Sequence, residues 1–369
     1  MNDGLDAAIA ERGTIYDLMW QREGKRFELA IEAVLPEENY PEIGDLALSR
    51  EGYAVRYEVA IGLDETERAV ILDEQILLTQ SYPAWNDTAN WQDGSVFLRP
   101  DGSDWSQVIH STGGGKEYRI TPEMPDTEMN GRDFMLSFRR DEQRPVFQRM
   151  YRKAFPTGEW LEGLLRTRVL RVDLQPELLR QASRPGQGKS FAKGGANLPW
   201  MVDDLEKSNR EAFAQWRAHV RTALHDLKSI QTIEREDDHH RYLMVEYANG
   251  LKVPAWALSE GTLCFLALTF LAYQSKPGDM YLIEEPETHI HPLNIEPVLQ
   301  SLSSVYGGQV LISTHSPQVL AMTEVENVLI FERDTEKGTQ ILGGKDHPRL
   351  REWKGEVSLG TLFAGGVLG

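Results

Sequence analysis

One cysteine in 369 residues, Cys264, excludes an intrachain disulfide framework and any zinc site built on two or more thiolates. Basic residues are scarce as well. Lys and Arg number 39 against 57 Asp and Glu, a net charge of −18. A chain this acidic is a poor nonspecific nucleic-acid binder, because phosphate contacts need cations in excess. The longest apolar run, Leu263–Tyr273 with one threonine inside, is too short for a membrane span and reads as a buried helix. The opening MNDGLDAAIAERG is acidic and has no apolar h-region, so no secretory leader is expected. There is no internal repeat, no low-complexity tract and no long heptad run, which argues against a coiled-coil arm. What remains, at 41% hydrophobic and 26% charged residues, is ordinary for a globular chain. The expectation is a soluble protein of a reducing compartment, cytoplasmic and without membrane contact, folded as one large or two medium domains.

The first half reads as β. Arg26–Leu35 and Tyr53–Ile61 alternate, and Ala69–Leu78 is a more continuous apolar run; short Pro, Asn, Asp and Gly loops between them suggest an antiparallel meander. Residues 84–132, rich in Gly, Asp, Asn, Thr and Trp, read as irregular strands and loops. After about residue 155 the pattern changes. Trp160–Leu165 looks helical and Val169–Leu174 a strand, and apolar residues recur at helical spacing from Leu198 to Leu227. Strands are expected around Thr232 and at Tyr242–Tyr247, with Asp237–His240 a solvated turn between them. The last third then alternates Tyr281–Ile283, Val298–Val305, Val310–Ser313 and Val328–Phe331, the pattern of a parallel α/β sheet.

Three segments there carry chemistry. Tyr281-Leu-Ile-Glu284-Glu285-Pro-Glu287 is an apolar strand delivering carboxylates at its C-terminal end, the edge where open α/β sheets bind ligands. Neighbouring residues on a strand point to opposite sides, so one carboxylate can hold magnesium while the other polarises a water. Gln309-Val-Leu-Ile-Ser-Thr-His315-Ser-Pro ends a second strand with a histidine able to donate to a phosphate. Leu258-Ser259-Glu260-Gly261-Thr262 precedes the apolar helix; Ser259 is a natural N-cap and the helix N-terminus suits an anion. Each segment alone has a plain structural explanation: a helix cap, a solvated acidic turn, a strand-end histidine. Their order and spacing give the signal.

The three segments resemble the signature motif, the Walker B strand and the switch-histidine strand of ABC-type ATPase heads, with His289-Ile-His291-Pro292 at the D-loop position. The group resembled is the prokaryotic RecF/SMC/OLD-like AAA family ATPases. The resemblance implies an α/β P-loop NTPase head with an antiparallel β-rich N-terminal lobe (1–155) and a parallel α/β C-terminal lobe (156–369). It implies ATP and Mg2+ as cofactors, Glu284 on the metal, Glu285 as catalytic carboxylate and His315 as phosphate-sensing switch. Ser259, Glu260 and Gly261 would address the γ-phosphate held by the other subunit of an ATP-sandwiched homodimer. A nuclease or effector partner, in DNA repair or phage defence, belongs to the same implication, whereas DNA binding is not supported by the net charge.

The family's phosphate cradle, G-x-x-x-x-G-K-[ST], has no match. Ser183-Arg-Pro-Gly186-Gln-Gly188-Lys189-Ser190 has the GKS end but a serine where the first glycine belongs, and reads as a basic loop. Leu5–Gly13 reads as a helix fragment like those that follow a P-loop. The expectation is therefore a head whose first strand, P-loop and helix start lie outside these residues, with weak ATP binding by this chain alone. Misplaced start, truncation, supply by another chain and true loss stay open. Two other readings compete: a nucleotide-independent scaffold derived from such an ATPase, and a zinc or iron site on Glu285, His289 and His291. Pro286 and Pro292 make the latter segment a turn, which argues against shared metal ligation.

Overall fold

The computed structural model describes residues 4–19, 22–39, 53–79, 105–112, 117–120, 138–139, 141–149, 155–188, 190–334, 338–351, 353, 355 and 357–368. They form two compact units, residues 1–166 and 167–369. Phe155 and Leu161 are buried in the first unit's core.

The first unit opens with helix α1 (Leu5–Ala10). Six antiparallel strands follow in sequence order: β1 (Arg26–Leu35), β2 (Tyr53–Leu63), β3 (Ala69–Thr79), β4 (Trp105–Thr112), β5 (Glu117–Ile120) and β6 (Phe138–Arg139). Helix α2 (Pro156–Gly163) closes the unit. Odd-numbered residues of β2 (Tyr53, Val55, Tyr57, Val59, Ile61) point into one core, as strand alternation requires. β4 and β5 lie in the Trp-rich stretch 84–132; most of that stretch is outside the described residues.

Both faces of β2 are buried, and the second is polar. Arg56 pairs with Glu32 and Glu58, and Gln75 donates to Glu58. Glu74 of β3 is fully buried on the core side. It accepts from Tyr57 Oη at 2.7 Å, Tyr118 Oη at 2.9 Å and the Val146 N–H at 2.9 Å. Burial raises its carboxyl to about 7 in spite of these donors, and burial together with the Glu74 charge pushes the Tyr57 phenol well above its ordinary value.

The second unit begins with a π turn (Leu164–Arg168 straddles the division) leading into β7 (Val169–Val172) and the short helix α3 (Pro176–Leu179). The expected long helix over 198–227 is two: α4 (Leu198–Ser208) and α5 (Arg210–Ala223). Asn209 breaks the run, with φ −146° and ψ 81°, and its side chain caps α5 by accepting from the Ala212 N–H. Leu227 already belongs to β8 (Leu227–Glu234), which pairs antiparallel with β9 (Arg241–Tyr247) across the Asp237–His240 turn; β10 (Lys252–Pro254) completes that sheet.

Helix α6 (Glu260–Gln274) is apolar all round, and Leu263–Leu271 are buried without interruption. It lies against β11 (Met280–Glu284), α5 and α7 (Ile295–Ser303) in one core that includes Trp216, Phe270, Tyr281, Ile283 and Val298. The one polar group inside α6, Thr269, is satisfied: it accepts from Trp216 Nε1 at 3.1 Å and donates to the Phe265 carbonyl at 2.8 Å. The parallel sheet has the order β12 (Gln309–Ser313), β11, β7. α8 (Pro317–Ala321) follows. The expected fourth member, β13 (Leu329–Asp334), instead pairs antiparallel with β14 (Gly338–Gly343) as a separate ribbon backed by α9 (Leu359–Ala364). Among the described residues no helix is long and apolar enough to cross a membrane.

Candidate nucleotide site

β11 sits between two parallel neighbours, and its register decides where the carboxylates go. Met280 to Glu284 pair with Gln309 to Ser313 on one side, and Met280 to Ile283 with Val169 to Val172 on the other. Tyr281 and Ile283 point into the core, which leaves Glu284 at the exposed C-terminal edge opposite Ser313. The ladder runs one residue further, because the Glu285 N–H donates to the Ser313 carbonyl at 2.8 Å. Glu284, Glu285 and the residues leading to His315 therefore emerge from adjacent strands at one sheet edge.

Glu284 and Glu285 have different surroundings. Glu284 is 68% exposed and paired with Arg171 of β7, whose Nη2 lies 3.2 Å from Oε1 and 3.3 Å from Oε2. Glu285 has φ +41°, a left-handed conformation costing a non-glycine residue about 1–2 kcal/mol. That conformation ends the strand. The Glu285 carbonyl accepts from the Thr288 N–H at 3.0 Å, and its Oε2 accepts from Thr288 Oγ1 at 3.2 Å. Glu287, the third carboxylate of the run, accepts from Thr314 Oγ1, which in turn accepts from the Ser316 N–H at 2.9 Å. Ser316 caps α8. His315 is thus held between two anchored neighbours, while its exposed ring has no hydrogen-bond partner among the described residues.

A second group forms around the start of α6. Ser259 Oγ accepts from the Thr262 N–H at 3.1 Å and lies 2.8 Å from Thr262 Oγ1, so the hydroxyl is the expected N-cap. Glu260 stands in the first turn, favoured by the helix dipole, and is met by Arg180 Nη1 at 3.2 Å; Arg180 Nη2 also donates to the Leu258 carbonyl at 3.4 Å. His289 Nδ1 is 4.0 Å from Glu260. Gly261 has a structural reason beyond ligand access. A Cβ there would stand 3.0 Å from the His289 carbonyl oxygen and 3.7 Å from the His291 nitrogen. The backbone of 289–291 passes directly over it. Cys264, one turn on, is inert: burial pushes its thiol up to about 12.

The zinc or iron alternative fails on these contacts. His289 faces Glu260, and His291 Nδ1 accepts from the Leu293 N–H at 3.2 Å. No group of three or more His, Cys, Asp or Glu able to hold a metal occurs among the described residues. Magnesium makes a smaller demand: it is usually held by one or two carboxylates plus phosphate oxygens and water, and the exposed Glu284 carboxylate fits that role. Around the GKS-like loop, Ser183 pairs with Arg241 through the backbone, Gly186 turns at φ +77°, and no helix follows until α4; Lys189 is outside the described residues. Asn197 organises this loop by donating to the carbonyls of Gly188 and Ser190 at 2.7 and 2.8 Å.

Arg171, Arg180, Glu287 and Thr314 were not singled out from the sequence. Two carried a visible signal: Glu287 and Thr314 are the remaining polar members of the EEPE and THSP runs. Arg171, a lone charge within the apolar Val-Leu-Arg-Val strand, carried a weaker one.

Residues 168–321, from the start of β7 to the end of α8, match the family model described as "AAA domain, putative AbiEii toxin, Type IV TA system". No curated protein sequence matches significantly. Among solved structures, an SMC ATPase from work on ATP-driven dimerization and DNA-stimulated activation of SMC ATPases is 15% identical, with a TM-score of 0.31, covering 45% of this chain and 94% of that one. The Smc head domain with coiled coil and joint from Pyrococcus yayanosii is 17% identical, with a TM-score of 0.28, over 40% of this chain and 31% of that one. Residues 168–321 are thus similar to an AAA domain of the putative AbiEii toxin kind.

Proposed function

We propose that this chain is the signature- and Walker B-bearing body of an ABC-type ATPase that forms a homodimer around ATP and gates a partner nuclease or effector in the cytoplasm. The observation that carries the reading is the β11–β12 register, which supports a single site containing Glu284, Glu285 and His315. Bound Mg2+ and ATP would supply the scissile anhydride and neutralise its charge. The chain's own residues then have distinct tasks. Glu284, now paired with Arg171, would hold the metal. Glu285, aimed by its left-handed turn, accepts the proton of the attacking water. His315 donates to the terminal phosphate, with Thr314 and Ser316 fixing its backbone. Ser259 and Gly261, with Glu260 balanced by Arg180, present the α6 N-terminus to the phosphate held by the partner copy.

The free edge of β12 supports the same reading. One side of this strand is bonded to β11; the other has no strand among the described residues. Its sequence, Gln-Val-Leu-Ile-Ser, has no charge to guard that edge, and Leu311 is 46% exposed. A further parallel strand bearing the phosphate cradle would cover it. The second reading is a scaffold that needs no nucleotide. Calorimetric titration of ATP, without and with a supplied strand–P-loop–helix segment, separates the two. The ATPase reading expects magnesium-dependent hydrolysis only with the segment; a partner bound without any nucleotide effect in either case would favour the scaffold.

A further inference from the structure

Helix α5 presents a basic stripe that ATP chemistry does not use. Helical geometry places Arg210, Ala214, Arg217 and Arg221 in one arc about 60° wide, beside the buried Phe213, Trp216 and Val220. Glu211, the acid of this helix, lies about a quarter turn away from the arc. Arg210 and Arg221 are exposed and Arg217 is half-buried. Among the described residues none of the three has an ion-pair partner, although the chain is rich in acids and nearby cations are paired: Lys207 with Asp203, Lys228 with Glu246, Arg241 with Asp203 and Glu234. Arg217 lies over the Phe213 ring, 5.4 Å from its centroid, and its Nε is buried without a partner. Arg210 occupies the first turn, where the helix dipole opposes a cation.

At the α4–α5 corner the stripe opens on a cavity of about 380 Å³ lined by Glu206, Lys207, Arg210, Phe213, Ala214 and Arg217. Glu206 is the acid there, against three cations. We propose that this stripe binds the phosphodiester backbone of single-stranded nucleic acid. Guanidinium forks match phosphate oxygens, and the small Ala214 lets a strand approach the helix. The arginines stand about 10 and 6 Å apart along the axis, an uneven spacing that a flexible single strand can follow. A duplex would bring two strands of phosphate against a chain of net charge −18. The cavity beside Arg217 has room for an unpaired base, which the guanidinium plane can stack upon.

Fluorescence anisotropy with labelled oligo-dT and oligo-rU of about 20 nucleotides, without ATP, tests this at salt from roughly 30 to 200 mM. Three phosphate contacts predict a log–log salt slope near −2. The triple variant Arg210→Gln, Arg217→Gln, Arg221→Gln should lose at least ~10-fold in affinity and most of the slope. Should the triple variant fail to fold, Arg221→Gln at the exposed end of α5 carries the test, with about a third of the slope lost. Duplex of the same length should bind more weakly. Absence of binding to both oligonucleotides at the lowest salt, or an unchanged slope in the variants, would overturn the proposal. So would a poly-glutamate peptide of equal length binding more tightly through the same arginines, which would make the stripe a site for an acidic protein segment.

Discussion

Glu74→Gln should make the first unit's stability less dependent on pH. The carboxyl is sealed among Tyr57, Tyr118 and the Val146 N–H, and burial lifts it from 4.5 to about 7. The folded state therefore holds this proton more tightly than the unfolded chain does. The associated stability is fully present below pH 4.5, declines as the pH climbs towards 7, and is gone above that. The shift corresponds to about 3 kcal/mol. Glutamine keeps the shape and an accepting oxygen but has no proton to lose. The variant should match wild type, or fall short by about 1 kcal/mol for one altered hydrogen bond, at pH 4.5. At pH 8 it should be the more stable by about 2–3 kcal/mol. Urea titration read by hydrogen exchange in β2 and β3 isolates this unit from the second. A variant-minus-wild-type difference that is the same at both pH values would refute the reasoning.

Two substitutions probe the site's construction. Gly261→Val drives a branched side chain into the His289–His291 backbone and should cost about 2 kcal/mol in urea unfolding, with Gly261→Ala milder because its overlap is only a few tenths of an ångström. Glu285→Gly relieves the left-handed strain while giving up the Thr288 contact, so it should be as stable as Glu285→Gln or up to about 1 kcal/mol more stable. A glycine variant clearly less stable than the glutamine variant would show that the turn stores no strain.

Much of the second unit's layout was legible. Apolar runs closed by charged or polar residues marked β11 and β12, and a serine ahead of an unbroken apolar stretch marked α6 with its cap. In the first unit, alternation alone located β1 at Arg26–Leu35. What stayed hidden depends on partners distant in sequence or on backbone conformation. Arg171 meets Glu284 only because β7 lies beside β11, and Gly261 is explained by the backbone of residues 289–291, some thirty residues on. The left-handed Glu285 has no local sequence signature, since glutamate does not favour that region. Continuous periodicity hid the break at Asn209, whose capping side chain outweighed the pattern. The place of β13 was misjudged because strand–helix alternation suggests another parallel member, while its pairing with β14 is set by a local hairpin.

The central claim, that Glu285 acts on water at a site shared with His315, is tested most directly by phosphate release. The chain is supplied with a Walker A-bearing segment and assayed with Mg2+ and ATP, as wild type and as Glu285→Gln, a substitution that keeps the side chain's shape and its Thr288 contact. Loss of a general base predicts a rate lower by about 10²–10⁴-fold with nucleotide binding retained. An unchanged rate in the glutamine variant would contradict the account.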